Sequence, residues 1–182
     1  MMKYLDVKKR KEMKQPLLLL GISICIILVE ILRELSSFCI RRYEIKSNKL
    51  TKEIKFVFLS DLHGRRYGEN NCKLCMAVKK EHPDLILVGG DMLVRAEEDT
   101  DEIALEIMKE LVEIAPVYLA NGNHEQRMRV YPEKYDGRYE KYKNAVESLG
   151  VKVLENSSVV IPWNDAEIEI HGLEFMLMIY LF

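Results

Sequence analysis

The sequence predicts an α/β domain built on a largely parallel β-sheet, preceded by an N-terminal transmembrane helix. Three observations predict this fold class. From residue 54 onward, short apolar runs alternate with segments of helical periodicity, a pattern typical of strands joined by crossover helices. The runs are continuous rather than alternating, which indicates strands covered on both faces. A separate apolar stretch occupies residues 16–35.

The length and charge of the chain limit its possible partners. With 182 residues, it should form one globular domain with an appendage. The net charge of −2 is uneven, because residues 1–15 hold six basic and two acidic side chains and the rest is acidic. Nucleic-acid phosphates need clustered Lys and Arg, so we expect no nucleic acid as the main partner. An acidic body suits a protein that holds divalent cations, and equally an ordinary solvated surface.

The N-terminal stretch has the composition of a membrane anchor. Uncharged and mostly apolar residues run from Leu17 to Val29, and Ile31 and Leu32 follow Glu30. Such a helix would span roughly 25 Å of a hydrocarbon core of about 30 Å, a shortfall that bilayer thinning absorbs.

We therefore predict a basic cytoplasmic segment at residues 1–15 and a single-pass anchor in the cell membrane at residues 16–35. The positive-inside rule then places the following domain, residues 43–182, on the extracytoplasmic side. A cleaved signal peptide and a buried helix of a soluble protein remain alternatives.

Apolar runs and helical periodicity predict the elements of the domain in order. We expect a short exposed strand and turn at 43–50, a strand at 56–59, a helix at 69–81, a strand at 85–88, a helix at 101–114, a strand at 117–119, a helix at 138–149, and short strands at 151–156, 158–162 and 166–173. Residues 175–182 are all apolar. They are interpreted either as a final buried strand or as an abnormal terminus.

Each of the first three buried strands ends in a glycine-containing turn that carries polar side chains. These turns are "SDLHG" (60–64), "GGD" (89–91) and "NGNHE" (121–125). Any one of them is explained by ordinary turn chemistry. Three in succession at the carboxyl edge of one parallel sheet indicate a binding site, because ligands collect at that edge.

The side chains at these turns suit divalent metals, which are bound by carboxylate, carbonyl and imidazole ligands. Asp61 and His63 are two positions apart, so an extended backbone points both to one face. Asp91, from the neighbouring strand, could bridge two ions. Two-metal sites hold both the attacking and the leaving oxygen of a phosphoryl transfer.

The motifs "SDLHG", "GGDM" and "GNHE", in this order, resemble the calcineurin-like metallophosphoesterase family, and most closely its membrane-anchored bacterial branch. The resemblance runs from Ile54 to Glu125 and, more weakly, to Gly172. It implies a layered β-sheet sandwich flanked by helices. It also implies a hydrolase that cleaves phosphomonoester, phosphodiester or pyrophosphate bonds by attack of a metal-bound hydroxide.

The resemblance further implies two divalent metal ions, with Mn, Fe, Zn and Mg all open. Four residues are implied as ligands: Asp61 and His63 on the first metal, Asp91 bridging both, and Asn123 on the second. His124 would contact the substrate phosphate or protonate the leaving oxygen, with Glu125 orienting and charging its imidazole. The implied substrates are phosphate-ester small molecules or lipid head groups at the membrane.

The sequence departs from the family pattern in its second half, where the family has three more histidines. After His124 this chain has only His171, which we expect to be structural or exposed, as we do the loop residue His82. We therefore expect residues 43–182 to be the N-terminal part of a truncated domain. The alternative function is a catalytically inactive, membrane-anchored fragment that retains half of a dinuclear site.

The pair Cys72 and Cys75 forms a C-x-x-C motif without the two further ligands that a zinc site needs. Positions three apart share one helix face, so both thiols are interpreted as small core residues. A redox or metal-binding pair is the alternative. The sequence leaves the oligomeric state open.

Overall fold

The computed structural model describes residues 2–173 and 176–181, and it divides the chain into two units, 1–42 and 43–182. The first unit contains helix α1, Met2–Leu35. Within it, the 19 residues Pro16–Glu34 have a mean hydropathy of 2.3 and are long and apolar enough to cross a membrane. A signal sequence near the N-terminus meets the same criteria of length and hydropathy.

Polar side chains within α1 are satisfied locally. The hydroxyl of Ser23 donates to the Leu19 carbonyl at 3.0 Å, one turn back. Glu30 pairs with Arg33 three positions on. Pairing within one turn lowers the cost of placing these charges near the end of an apolar helix.

Among its described residues, the second unit contains two sheets and four helices. The parallel sheet has strands in the order β1 (Phe56–Leu59), β2 (Leu85–Val88), β3 (Val117–Ala120) and β4 (Lys152–Leu154). The helices are α2 (Cys72–Glu81), α3 (Thr100–Val112), α4 (Asn123–Val130) and α5 (Arg138–Ser148), with 3-10 turns at Glu69–Asn71 and Pro132–Tyr135. The antiparallel sheet has the order β5 (Ser157–Trp163), β6 (Ala166–Leu173) and β7 (Met176–Leu181).

Successive strands of the first sheet all pair in parallel, as the sequence predicts. Val57 lies beside Ile86, Leu87 beside Tyr118, and Leu119 beside Val153. Because the strands are short and in register, their carboxyl ends meet at one edge. The turns after β1, β2 and β3 therefore lie next to one another.

The parallel sheet is the middle layer of the domain. Ile86, Val88 and Leu119 face a core shared with the four helices. Leu85 and Leu87 face the other way and pack with residues of the antiparallel sheet such as Ile170. The alternation along β2 fills both cores, because successive side chains of a strand point to opposite faces. This is the expected layered sandwich with helices on one side.

Strand β1 differs from the prediction of a strand covered on both faces. It lies at the edge of the parallel sheet. Val57 and Leu59 face the helical core, whereas Phe56 and Phe58 are 40% and 55% exposed. The prediction is wrong for β1 because an apolar run does not reveal whether a strand is central or at an edge.

Two other predictions concern local structure. Residues 43–50 contain a turn at Asn48 and Lys49 but no strand. The apolar residues 176–181 do form a strand, β7, which pairs with β6 through Ile179 and Ile170. The same prediction covers residues 175 and 182, which lie outside the described residues, as does the adjoining residue 174.

Candidate metal centre

The turn after β1 is joined to the turn after β2 by backbone hydrogen bonds. Asp61 N donates to the Gly90 carbonyl at 3.1 Å, and His63 N donates to the Asp91 carbonyl at 2.9 Å. Asp61 and His63 both have left-handed backbone, with φ of 58° and 49°. Non-glycine residues adopt this conformation at a cost, and such strain clusters at functional sites.

Asp91 follows β2 and lies at the centre of the cluster. It is buried, and its φ is 51°. Its Oδ1 accepts a hydrogen bond from His124 N at 2.8 Å, within the first turn of α4. This hydrogen bond fixes the Asp91 carboxylate against the first turn of α4.

Two glycines allow the turns after β2 and β3 to approach each other. A Cβ on Gly122 would lie 2.4 Å from the Asp91 carboxyl carbon. A Cβ on Gly90, whose φ is 86°, would lie 1.9 Å from the Gly122 nitrogen. Any larger residue at either position would push Asp91 away from the loop that carries Asn123.

Three predicted ligands come together at this edge. Asp61, His63 and Asp91 each offer one ligand atom, and the three atoms lie within 4.8 Å of one another. His63 Nε2 is 3.8 Å from Asp61 Oδ1. Two carboxylates and an imidazole form a donor set suited to a divalent cation.

The carboxamide of Asn123 lies against the same Asp91 carboxylate. With its nitrogen turned toward Asp91, it donates to Oδ2 at 2.6 Å and to Oδ1 at 3.3 Å. With its oxygen turned that way, two acceptors would face each other, an arrangement that a shared cation stabilises. The donor set of Asp61, His63 and Asp91 fits a divalent metal at this position.

The carboxylate of Glu125 is fully buried and accepts hydrogen bonds from three backbone amides. Oε2 accepts from Asp91 N at 2.9 Å and Gly122 N at 3.1 Å, and Oε1 accepts from Met92 N at 2.9 Å. Burial raises the pKa of Glu125, and the backbone hydrogen bonds oppose that rise. Glu125 thus joins α4 to the turn after β2, whereas the sequence predicted that it would orient the His124 imidazole.

His124 receives its orienting hydrogen bond from a different residue. Its Nδ1 accepts from the Arg95 backbone N–H at 2.9 Å. Nδ1 is therefore the unprotonated nitrogen, and Nε2 carries the proton of the neutral ring. Burial lowers the pKa of His124, and Asp91 opposes that effect while His63 and Arg95 add to it. The rings of His63 and His124 lie 5.0 Å apart at 71°.

Sequence reasoning missed Arg95 and Arg138, the latter the first residue of α5 and only 7% exposed. A cation at a helix N-terminus is disfavoured by the helix dipole. The position of Arg138 at the start of the predicted helix 138–149 therefore indicates that a specific partner binds its side chain. For Arg95 no such signal exists, because its contact with His124 is made by the backbone.

The remaining histidines lie apart from this cluster. His82 is exposed and ends α2 in a left-handed conformation. His171, on β6, lies 3.2 Å from Glu169 through Nε2.

The two α2 cysteines differ in environment. Cys75 is buried, and burial raises its pKa to about 11. Cys72 is exposed. The predicted core position therefore holds for Cys75 and is wrong for Cys72, because Cys72 is the first residue of α2 and its side chain faces solvent.

Comparison with known proteins agrees with this geometry. The family described as calcineurin-like phosphoesterase matches residues 54–179, which is more than half of the chain. The chain is also 26% identical over 121 residues to "Phosphodiesterase YaeI" of Escherichia coli (strain K12). That alignment covers 65% of this chain and 42% of the relative, so the chain spans about two-fifths of that protein's length. The chain belongs to the calcineurin-like phosphoesterase family.

Proposed function

We propose that this chain is a membrane-anchored, metal-dependent phosphoesterase that hydrolyses phosphate esters. The observation that carries the proposal is the convergence of Asp61, His63 and Asp91 at the carboxyl edge of the parallel sheet. Family membership supports hydrolysis of a phosphate ester as the reaction.

Four residues would hold the metals. Asp61 and His63 would bind one ion, Asp91 would bridge to a second, and Asn123 would bind that second ion through its amide oxygen. When bound, the metals supply Lewis-acid activation of water and neutralise charge that develops on the phosphoryl group. The hydrogen bond from His124 N to Asp91 Oδ1 would hold this carboxylate in place for ligation.

His124 would act on the substrate through Nε2. Because Nδ1 accepts the Arg95 N–H, only Nε2–H remains to donate to a phosphoryl oxygen or to the leaving oxygen. Glu125 would act indirectly by fixing the backbone of Asp91.

Phosphodiesters are the first substrates to test, because the curated relative is named a phosphodiesterase. Phosphomonoesters and pyrophosphates fit the same chemistry. An anchor at residues 16–35 with the basic segment 1–15 in the cytoplasm would hold residues 43–182 on the extracytoplasmic face. There, lipid head groups are accessible phosphate esters.

The second candidate is an inactive anchored fragment, and the composition of the cluster favours it. Within the part of the chain that the structure describes, the cluster has one imidazole, from His63. Among the residues that the structure describes, a second metal would have Asp91 and Asn123 as its protein ligands. A site with so few protein ligands binds its metal weakly, because metal affinity depends on the number and geometry of the ligands.

A turnover assay separates the two candidates. The full chain in detergent micelles is stripped with EDTA, then given Mn²⁺, Zn²⁺ or Mg²⁺ with bis-p-nitrophenyl phosphate. We expect metal-restored turnover that falls at least about 100-fold in Asp91→Asn, with no change in the control Asp165→Asn, an exposed turn residue. Absence of turnover with every metal supports the inactive fragment. Turnover that survives EDTA and Asp91→Asn contradicts the proposed site.

A further inference from the structure

The loop between β2 and α3, which carries Asp91, also contacts His124 through a backbone group. Its segment Val94–Glu97 forms a closed turn, in which Glu97 N donates to the Val94 carbonyl at 2.9 Å. Within this segment, the Arg95 N–H donates to His124 Nδ1. The orientation of the His124 ring therefore depends on the position of this turn.

Among the described residues, the guanidinium group of Arg138 is one of two side-chain groups that hold this turn. Arg138 donates to three backbone carbonyls of the segment: Arg95 at 3.0 Å, Val94 at 3.2 Å and Glu97 at 2.6 Å. The same group makes a two-point ion pair with Asp101 on α3, with both N···O distances 2.6 Å. Arg138 thus links α5, α3 and the turn.

The surroundings of Arg138 make these contacts hard to replace. Its side chain is 9% exposed, so water cannot readily substitute for the guanidinium donors. Arg138 is also the first residue of α5, where the helix dipole opposes a cation. Asp101 compensates the charge of Arg138. The planar guanidinium presents its N–H groups to the three carbonyls in fixed directions, which a lysine ammonium could not reproduce.

Thr100 supports the same turn from the other side. Its hydroxyl accepts from Val94 N at 2.9 Å and donates to the Glu97 carbonyl at 2.6 Å. Both ends of the segment are therefore fixed, and the Arg95 N–H lies at a set position beside His124.

We propose that Arg138 is a positioning residue of the site. By holding the Val94–Glu97 turn, it keeps the Arg95 N–H on His124 Nδ1 and so leaves Nε2 as the nitrogen available to a substrate. The catalytic consequence rests on the proposed function of His124. The structural link from Arg138 to His124 does not.

The test measures the ring and the amide directly. The full chain, labelled with ¹⁵N-histidine and ¹⁵N-arginine in micelles, is compared with Arg138→Lys at one fixed pH. In the wild type we expect the His124 signals of one tautomer, with Nδ1 unprotonated, assigned by their loss in His124→Gln. In Arg138→Lys we expect averaged ring signals and at least tenfold faster hydrogen exchange at the Arg95 amide.

Two further variants guard against general unfolding. Arg138→Met combined with Asp101→Leu removes both charges and should reproduce the Arg138→Lys spectrum. Arg66→Lys is the matched control, because Arg66 also makes a two-point ion pair, with Glu106, away from the turn. It should leave both readouts unchanged.

The proposal is overturned if Arg138→Lys and the double variant retain wild-type ring signals and Arg95 exchange. It is also overturned if Arg66→Lys changes them equally, since that indicates general loosening. If the wild type hydrolyses phosphodiesters, Arg138→Lys should lower kcat more than it raises KM. If the wild type is inactive, the proposed function fails while the ring and exchange readouts still decide the role of Arg138.

Discussion

At the scale of single residues, Glu125 connects two loops of the site without a charged partner among the residues described. Its carboxylate accepts hydrogen bonds from the backbone amides of Asp91, Met92 and Gly122. Hydrogen bonds of this kind are what a buried charge requires. Glu125 is also the third residue of α4, from which it reaches back to Gly122 as in a capping box.

Replacing Glu125 with Gln should destabilise the domain. The amide NH₂ would face at least one of the three backbone N–H groups and leave it unsatisfied, at a cost of about 1–3 kcal/mol. Urea unfolding of the full chain in micelles measures the change. Glu133→Gln, at an exposed position, is the control and should unfold at the wild-type midpoint. An unchanged midpoint for Glu125→Gln would contradict this role.

Much of the candidate site is predictable from residue types, and its internal contacts are not. Asp61, His63 and Asp91 converge because parallel strands end at one edge, which apolar runs and turn residues already indicate. The partner of Glu125 depends on where α4 begins and how it approaches Asp91. The pattern Gly122-x-x-Glu125 was the available signal for that helix start.

At the scale of secondary-structure elements, a polar network ties α5 to the loops after β3 and β4. Glu155 accepts from the Tyr139 hydroxyl and pairs with Lys143 and, at 3.3 Å, with Arg129. Asn121, two residues before Asn123, donates to the Tyr139 hydroxyl at 2.6 Å. The network thus supports the loop that carries the proposed second-metal ligand.

This network predicts a pH-dependent stability. Burial opposes ionisation of Glu155, but its hydrogen bonds and the charges of Lys143 and Arg129 lower its pKa overall. A carboxylate whose pKa is lower in the folded state stabilises the fold at pH values above its unfolded-state pKa. That stabilisation is lost as the pH falls through the folded-state pKa. Glu155→Gln should therefore be less stable than wild type near neutral pH by about 1 kcal/mol.

The difference between wild type and Glu155→Gln should shrink toward zero as the solution is acidified below the folded-state pKa. Unfolding free energies measured across the acidic range test this. Glu147→Gln, an exposed change on α5, should show a much smaller pH dependence. A gap between wild type and Glu155→Gln that persists in acid would contradict the assignment.

The positions of most strands and helices can be predicted from the sequence, whereas the solvent exposure of their side chains is predicted less well. β2 and β3 are recognisable because their apolar runs are short and bounded by polar turns. β1 has the same kind of run but is half exposed, because edge position depends on which other strands pair with it. Helix α4 was not predicted, because its eight residues are mostly polar and lack the apolar periodicity that identifies helices.

At the scale of the whole molecule, the proposed membrane topology rests on the apolar stretch Pro16–Glu34 and the basic residues before it. Cys72 offers a direct test, because it is an exposed thiol in the domain. A membrane-impermeant maleimide should label a variant that retains only Cys72 in intact cells. Failure to label until the cells are permeabilised would place the domain in the cytoplasm.

Two controls make the labelling quantitative. Lys9→Cys in a cysteine-free background should react only after permeabilisation, since it lies in the proposed cytoplasmic segment. A variant that retains only Cys75 should resist labelling until the protein is denatured, because the thiol is buried and its pKa is raised to about 11.

The most direct test of the metal centre is a Mn²⁺ titration followed by the electron paramagnetic resonance signal of the free ion. The full chain in micelles, stripped of metal, should bind Mn²⁺ saturably. Asp91→Asn should bind it at least about 100-fold more weakly, while Asp165→Asn should bind like the wild type. Equal Mn²⁺ binding by the wild type and Asp91→Asn would contradict a metal centre built from the turns after β1, β2 and β3.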